Sequence, residues 1–364
     1  MQARTSMSAP KINFESIDTI RFISISLIVW GHCSTEMSTL HFSNMSAVLL
    51  QSFIIQIGKL GTVIFFLIAG FLMQPKIASY TPLEFLKFRL KPTILPWLYF
   101  VVVIDLLHLY EQGLLGTLIT EGKLAEGFIL FLKTFKDIIS YLAYWFIVVF
   151  LISSLILIVF RKYINSIWMG VVLGIITLLY CINLYFGWIS AHHTKAFLAY
   201  IFFMWAGIQV RKHYGTFTLF IHRIAWWKFL AAFLISFLLA SFEGRLLAKL
   251  HCVDPYASIR LSNIINSLIV FMCLYKIGPI AVINGLKPRR HVYGIYLIHS
   301  ILLLIRDGII SRSEYSRPHH MLGYMAIEVR DFIIVLGLSL AMVAAFRALQ
   351  SIQYLAQVTP KEVA

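Results

Sequence analysis

The chain alternates long apolar runs with short polar punctuation. Ten stretches are apolar over a length at or near that needed to cross a hydrocarbon core of about 30 Å. They are 17–35, 54–73, 93–110, 139–160, 166–182, 196–211, 224–242, 256–275, 291–310 and 327–349. Each is expected to be helical, because hydrocarbon offers no water to satisfy backbone N–H and C=O groups. The fifth and sixth are short, which suits a tilted or re-entrant pair. No repeat of 20–50 residues and no low-complexity linker divides the chain. The expected fold class is therefore all-α, a polytopic membrane helical bundle of about ten transmembrane helices. The expected layout is one transmembrane domain (17–350) between a short N-terminal segment (1–16) and a tail (351–364).

Composition agrees with lipid as the solvent. The 364 residues are 60% hydrophobic and 13% charged, with a mean hydropathy of +0.83. A water-soluble domain sits near half apolar and a quarter charged. An even number of spans puts both termini on one side, and the segments on that side hold 19 of the 31 basic residues. Of the acids, only Glu15, Asp18, Glu84 and Glu362 fall there. The positive-inside rule then makes both termini cytoplasmic. No small-residue cleavage site follows the first run, which reads as an uncleaved helix.

The net charge of +15 is spread over short loops rather than gathered in one stripe. That excludes nucleic acid as the expected partner and points to anionic membrane lipids. It also leaves a cytoplasmic face suited to a polyanionic small molecule. Cys33, Cys181, Cys252 and Cys273 show no CxxC spacing, which argues against a metal cluster or disulfide scaffold. The pairs His192-His193 and His319-His320 lack the i, i+4 offset that aims two imidazoles at one ion. No metal is expected.

The stretch RFISISLIVWGH, 21–32, places a guanidinium and an imidazole eleven residues apart in a run otherwise suited to lipid. Eleven residues are close to three helical turns, so both share a face and lie roughly 16 Å apart along the axis. Arg21 sits about one turn from the cytoplasmic end, where it can snorkel to phosphates or pair with Asp18 three residues earlier. His32 lies deep in the run beside Gly31, where neither capping nor snorkelling explains it. A bond to a neighbouring helix and a functional role are both open readings. Tyr296 and His299 share a face at i, i+3, as do Asp105 and His108. For Asp105 the choice is between a buried functional acid and a side chain near the outer end that reaches water.

IDTIRFISISLIVWGH (17–32) resembles the first-helix signature of the acyltransferase-3 family of integral-membrane sugar acyltransferases. Four more segments are similar to the family in order: GTVIFFLIAGFLM (61–73), FLKFRLKPTILPWLYF (85–100), YWFIVVF (144–150) and VYGIYLIHSILL (292–303). Two departures stand out. Ala69 occupies a position where the family usually has Ser. Arg89 is followed by Lys91 and Pro92 where the family often has Arg-x-x-Arg, which keeps charge but loses a planar fork.

The resemblance implies acyl transfer, acetyl most commonly, from a coenzyme A thioester to a hydroxyl of a surface polysaccharide or its lipid-linked precursor. It implies a multi-pass protein of the bacterial inner membrane, with acetyl-CoA as cosubstrate and a polysaccharide-synthesis complex as a possible setting. His32, Arg21 and Asp18 become the catalytic candidates, with His32 as general base. Arg21, Lys87, Arg89, Lys91, Tyr296 and His299 become the donor-binding candidates. A covalent acyl-histidine is a variant of the same chemistry. Cys33 points about 100° away from His32 on a helix and is expected to pack. Some family members carry a soluble esterase-like domain that finishes the transfer; without one in this sequence, the chain is expected to complete the reaction alone or through a separate partner. The competing class is a polysaccharide exporter or lipid-linked sugar flippase, whose signature of repeated halves is not visible. A non-catalytic assembly partner ranks third.

Overall fold

A computed structural model describes residues 14–34, 44–114, 124–190, 193–312 and 321–358; His192, His319 and His320 lie outside them. Every regular element among the described residues is helical. In chain order they are α1 (Phe14–Cys33), α2 (Met45–Ile77) and α3 (Pro82–Arg89). A π-helical turn (Leu90–Ile94) leads into α4 (Leu95–Glu111), followed by α5 (Leu124–Tyr141) and α6 (Trp145–Val159). Next come α7 (Ile167–Phe186), α8 (Leu198–Lys212), α9 (Tyr214–Arg223), α10 (Trp226–Lys249) and α11 (Leu261–Ile277). The last three are α12 (Ala281–Gly285), α13 (Pro288–Arg312) and α14 (Met321–Val358).

By length and composition, five described helical stretches are able to cross a membrane: α2, α3 through α4, α7, α10 and residues 321–350 of α14. The count becomes six if α5 and α6, which meet at a 70° bend, form one span. The shortfall from ten has physical causes. α6 and α8 are 15 residues each and α11 is 17, about 23–26 Å of helix against a core of about 30 Å. α1 carries Glu15, Asp18 and Arg21 in its first half, and α13 carries charge at both ends. Two expected spans differ in shape as well. The run 139–160 is broken between α5 and α6, and 256–275 becomes a helix only from Leu261, after an irregular stretch.

The outward faces are apolar. Trp168 on α7 is 72% exposed, Trp227 on α10 67% and Ile333 on α14 62%. Such faces are stable only against lipid. Polar side chains turn inward and join helices instead. Thr177 of α7 donates to the Ala199 carbonyl of α8 at 2.9 Å, and Asn266 of α11 donates to Ser236 of α10 at 2.8 Å.

The chain divides into two compact units. The first comprises residues up to Ser24, Lys59–Phe88 and Val149–Gly285; the second comprises Ile25–Gly58, Arg89–Val148 and everything from Leu286. In the first unit, α7 packs on α8 and α10 on α11. α2 and α8 cross at backbone contact: a Cβ built on Gly207 would fall 1.9 Å from the Leu67 carbonyl, and one on Gly70 1.9 Å from that of Met204. In the second unit, α4 packs against α5, and α13 against both α4 and α14.

Candidate active site

In the second unit, the last turn of α1 is held by its neighbour. Gly31 crosses Gly58 of α2 so closely that a Cβ on Gly58 would lie 2.3 Å from the Gly31 Cα. Trp30 donates its indole N–H to the Ile54 carbonyl at 2.9 Å. The glycine beside His32 thus brings α1 and α2 together and fixes where the imidazole emerges.

His32 emerges onto a cavity of about 420 Å³. His108 of α4, Thr134 and Asp137 of α5, and Arg306 and Asp307 of α13 bring polar groups to the same space. Apart from Ser300 of α13, the rest of its wall is apolar, including Ile104, Ile138 and Leu303. Arg306 is tied on several sides: 2.7 Å to Asp307, 3.4 Å to Asp331 of α14, and 3.5 Å from its Nη1 to the Cys33 carbonyl at the end of α1. Arg330 also pairs with Asp331 at 2.7 Å. Cys33 itself is buried and is not part of the cavity wall.

Asp105 is fully buried and does not reach water. α5 packs over α4 at this point, and Thr134 donates to Asp105 Oδ1. Asp105 Oδ2 is buried with no hydrogen-bond partner. His108 instead meets Gln112, 2.8 Å away.

Three expected site residues come together in the second unit. The rings of His32 and His299 are 5.4 Å apart between centroids, and those of Tyr296 and His299 are 6.1 Å apart. Tyr296 donates to the Ala143 carbonyl at 2.9 Å, and Tyr144 donates to that of Leu297 at 2.7 Å. These bonds tie α13 to the break between α5 and α6. His299 has no exposed surface and is not part of the cavity wall.

In the first unit, Arg21 and Asp18 form a 3.4 Å ion pair along α1, both largely buried. Lys87 is exposed on α3. In the second unit, Arg89 is half-buried and Lys91 is exposed in the π-helical turn. That turn follows from Pro92: without an N–H it cannot close an ordinary helical bond, and the Leu95 N–H reaches back five residues to Leu90. Tyr293 of α13 donates to the Thr93 carbonyl at 2.6 Å.

All four cysteines are free thiols, and burial pushes the Cys252 thiol, in the connection after α10, above its ordinary range. Among the described residues, no three His, Cys, Asp or Glu side chains converge in a way that would hold a metal ion.

Residues Gly58, Thr134, Asp137, Arg306 and Asp331 were not singled out by pattern. Each lies in a segment that reads as ordinary helix or loop, and its role depends on a partner far away in the chain.

An all-α chain with apolar outward faces and an imidazole bordering a cavity describes a polytopic membrane protein. It belongs to the acyltransferase-3 family, matching that family's acyltransferase domain over residues 14–349. Neither the curated proteins nor the solved structures provide a match.

Proposed function

We propose that this protein is an integral-membrane O-acyltransferase, an acetyltransferase first of all. It would move the acyl group of an acyl-CoA to a hydroxyl of a surface polysaccharide or its lipid-linked precursor. The observation that carries this reading is His32, in a chain of this family, standing on the wall of a 420 Å³ cavity at the end of α1. Arg21 and His32, eleven residues apart in the sequence, are read as two stations along the donor's path. Asp18 orients Arg21. Arg21, Lys87, Arg89 and Lys91 take the phosphates of the donor, and Tyr296 supports its thioester end.

The chemistry uses His32 as general base. Its imidazole takes the proton of the acceptor hydroxyl as that oxygen attacks the thioester carbonyl. The tetrahedral intermediate collapses, the carbon–sulfur bond breaks, and the coenzyme A thiolate leaves with the proton His32 had accepted. Such a base contributes about 10²–10⁴ in rate. The setting is a bacterial inner membrane with ten spans and both termini in the cytoplasm, where acyl-CoA is found.

Mass spectrometry of surface glycans from cells expressing wild type or His32→Ala at equal membrane abundance tests this. An acyl ester present with the wild type and lost with His32→Ala is the expected result. The same ester pattern in both removes His32 as the base. A fall in the amount of exported glycan, with its esters unchanged, favours an exporter or flippase instead.

A further inference from the structure

His299 sits on α13 with Nδ1 3.1 Å from the Ile295 carbonyl one turn earlier. A carbonyl only accepts, so Nδ1 carries the proton and donates it. In the neutral ring, Nε2 is then a lone pair. That nitrogen is buried and has no hydrogen-bond partner, an arrangement that is rare in folded proteins. Tyr296 and Tyr144, anchored to the Ala143 and Leu297 carbonyls, hold this turn of α13 in place.

The ring of His32 lies beside it, with centroids 5.4 Å apart and planes inclined by 44°. Ring nitrogens stand about 1.2 Å from an imidazole centroid, so with one nitrogen of each ring turned along the line of centres the two stand about 3 Å apart, hydrogen-bond distance. His32 also borders the cavity, whereas His299 does not.

We propose that His299 is a positioning residue for acyl transfer: its Nε2 accepts the proton on one nitrogen of His32, leaving the other nitrogen of His32 as a lone pair facing the cavity. This rests on the reading of His32 as the base. A histidine's reactive tautomer is set by the bond its other nitrogen makes, and the acceptor here is a second imidazole rather than a carboxylate. When the acceptor hydroxyl gives up its proton, that proton goes to the cavity-side nitrogen of His32 and later leaves on the coenzyme A sulfur. The proton shared with His299 stays where it is, since His299 already carries one on Nδ1.

Nitrogen-15 NMR of histidine-labelled protein in lipid nanodiscs reads this directly, with the His32 signals assigned by their loss in His32→Gln. Wild type is expected to show His32 as a single neutral tautomer. His299→Phe keeps a ring but removes the acceptor; His32 becomes a mixture of tautomers, and glycan ester content falls about ten- to a hundredfold at equal protein abundance. His299→Gln returns an acceptor oxygen and restores both the single tautomer and most of the ester. A wild-type His32 that is already mixed, a tautomer unchanged in His299→Phe, or unrescued loss in His299→Gln overturns the proposal, and the wild-type spectrum alone does so even if a variant fails to fold. A tautomer shift in His299→Phe together with full ester in His32→Ala would locate the fault in the general-base reading instead, while the bond between the rings would stand.

Discussion

Arg306 meets carboxylates from two helices and the end of a third. Its guanidinium lies against Asp307 on its own helix, Asp331 on α14 and the Cys33 carbonyl that closes α1. Only 16% of the side chain is exposed, so solvent screens these contacts weakly. Arg306→Leu is expected to lose about 3 kcal/mol, because Asp331 keeps Arg330 but α1 loses its tether. Arg306→Lys should recover part of this, since a point charge cannot span several oxygens as a planar fork does. Asp307→Asn should cost less than about 1 kcal/mol, because Asp307 is itself half-exposed. Unfolding in detergent micelles that ranks the three in another order removes Arg306 as the tether. His32 was legible from sequence because an imidazole inside an apolar run is conspicuous. Arg306, Asp331 and Gly58 were not, because their meaning lies in partners 25 to 273 residues away. Asp105 was conspicuous too, but its depth stayed open between burial and water: nothing in the run 93–110 announces that α5 folds over it.

Helices in this protein meet where a side chain is missing as much as where one is present. Gly207 and Gly70 bring α8 and α2 into backbone contact, and backbone cannot give way as a side-chain tip can. Gly207→Ala is therefore expected to lower stability by about 2 kcal/mol or more by forcing the helices apart. Gly174→Ala on α7 is the matched control. Its new Cβ would meet Phe202 at an ordinary 3.6 Å, so better helix propensity should leave it neutral or up to about 1 kcal/mol more stable. Equal melting temperatures for the two variants would mean that the α2–α8 crossing does not limit stability. The elements themselves were only partly readable. Pro92 and Pro96 mark the irregular entry to α4, but the bend at 142–144 falls on Leu, Ala and Tyr, and a change of direction has no hydropathy signature. The late start of α11 was hidden for a related reason. Tyr256, Ala257 and Ile259 are buried and apolar, so they pass for helix. They are held instead as an irregular stretch by Arg260, which donates to the Ala257 carbonyl at 3.2 Å and to that of Ala240.

At the scale of the whole chain, the number of crossings decides which side of the membrane the cavity serves. The five helices that qualify by length and apolarity would put the termini on opposite sides; six, or the proposed ten, put them together. The proposed ten count the short α6, α8 and α11 and the charged α1 and α13 as spans, with their polar groups turned to one another rather than to lipid. In that topology α1, α4 and α13 all run away from the cytoplasm. The cavity is lined from the late turns of those helices by His32, His108 and Arg306, so it would open outward, with Arg21 at the cytoplasmic end of α1. Reporter fusions test this. A fluorescent protein that matures only in the cytoplasm should be bright when fused at the C-terminus, and alkaline phosphatase fused there should be inactive. Phosphatase fused within 113–123, between α4 and α5, should be active. An active C-terminal phosphatase would mean an odd number of crossings. An inactive fusion between α4 and α5 would turn α4 around, and with it the cavity, so that donor and acceptor would have to meet on the cytoplasmic face.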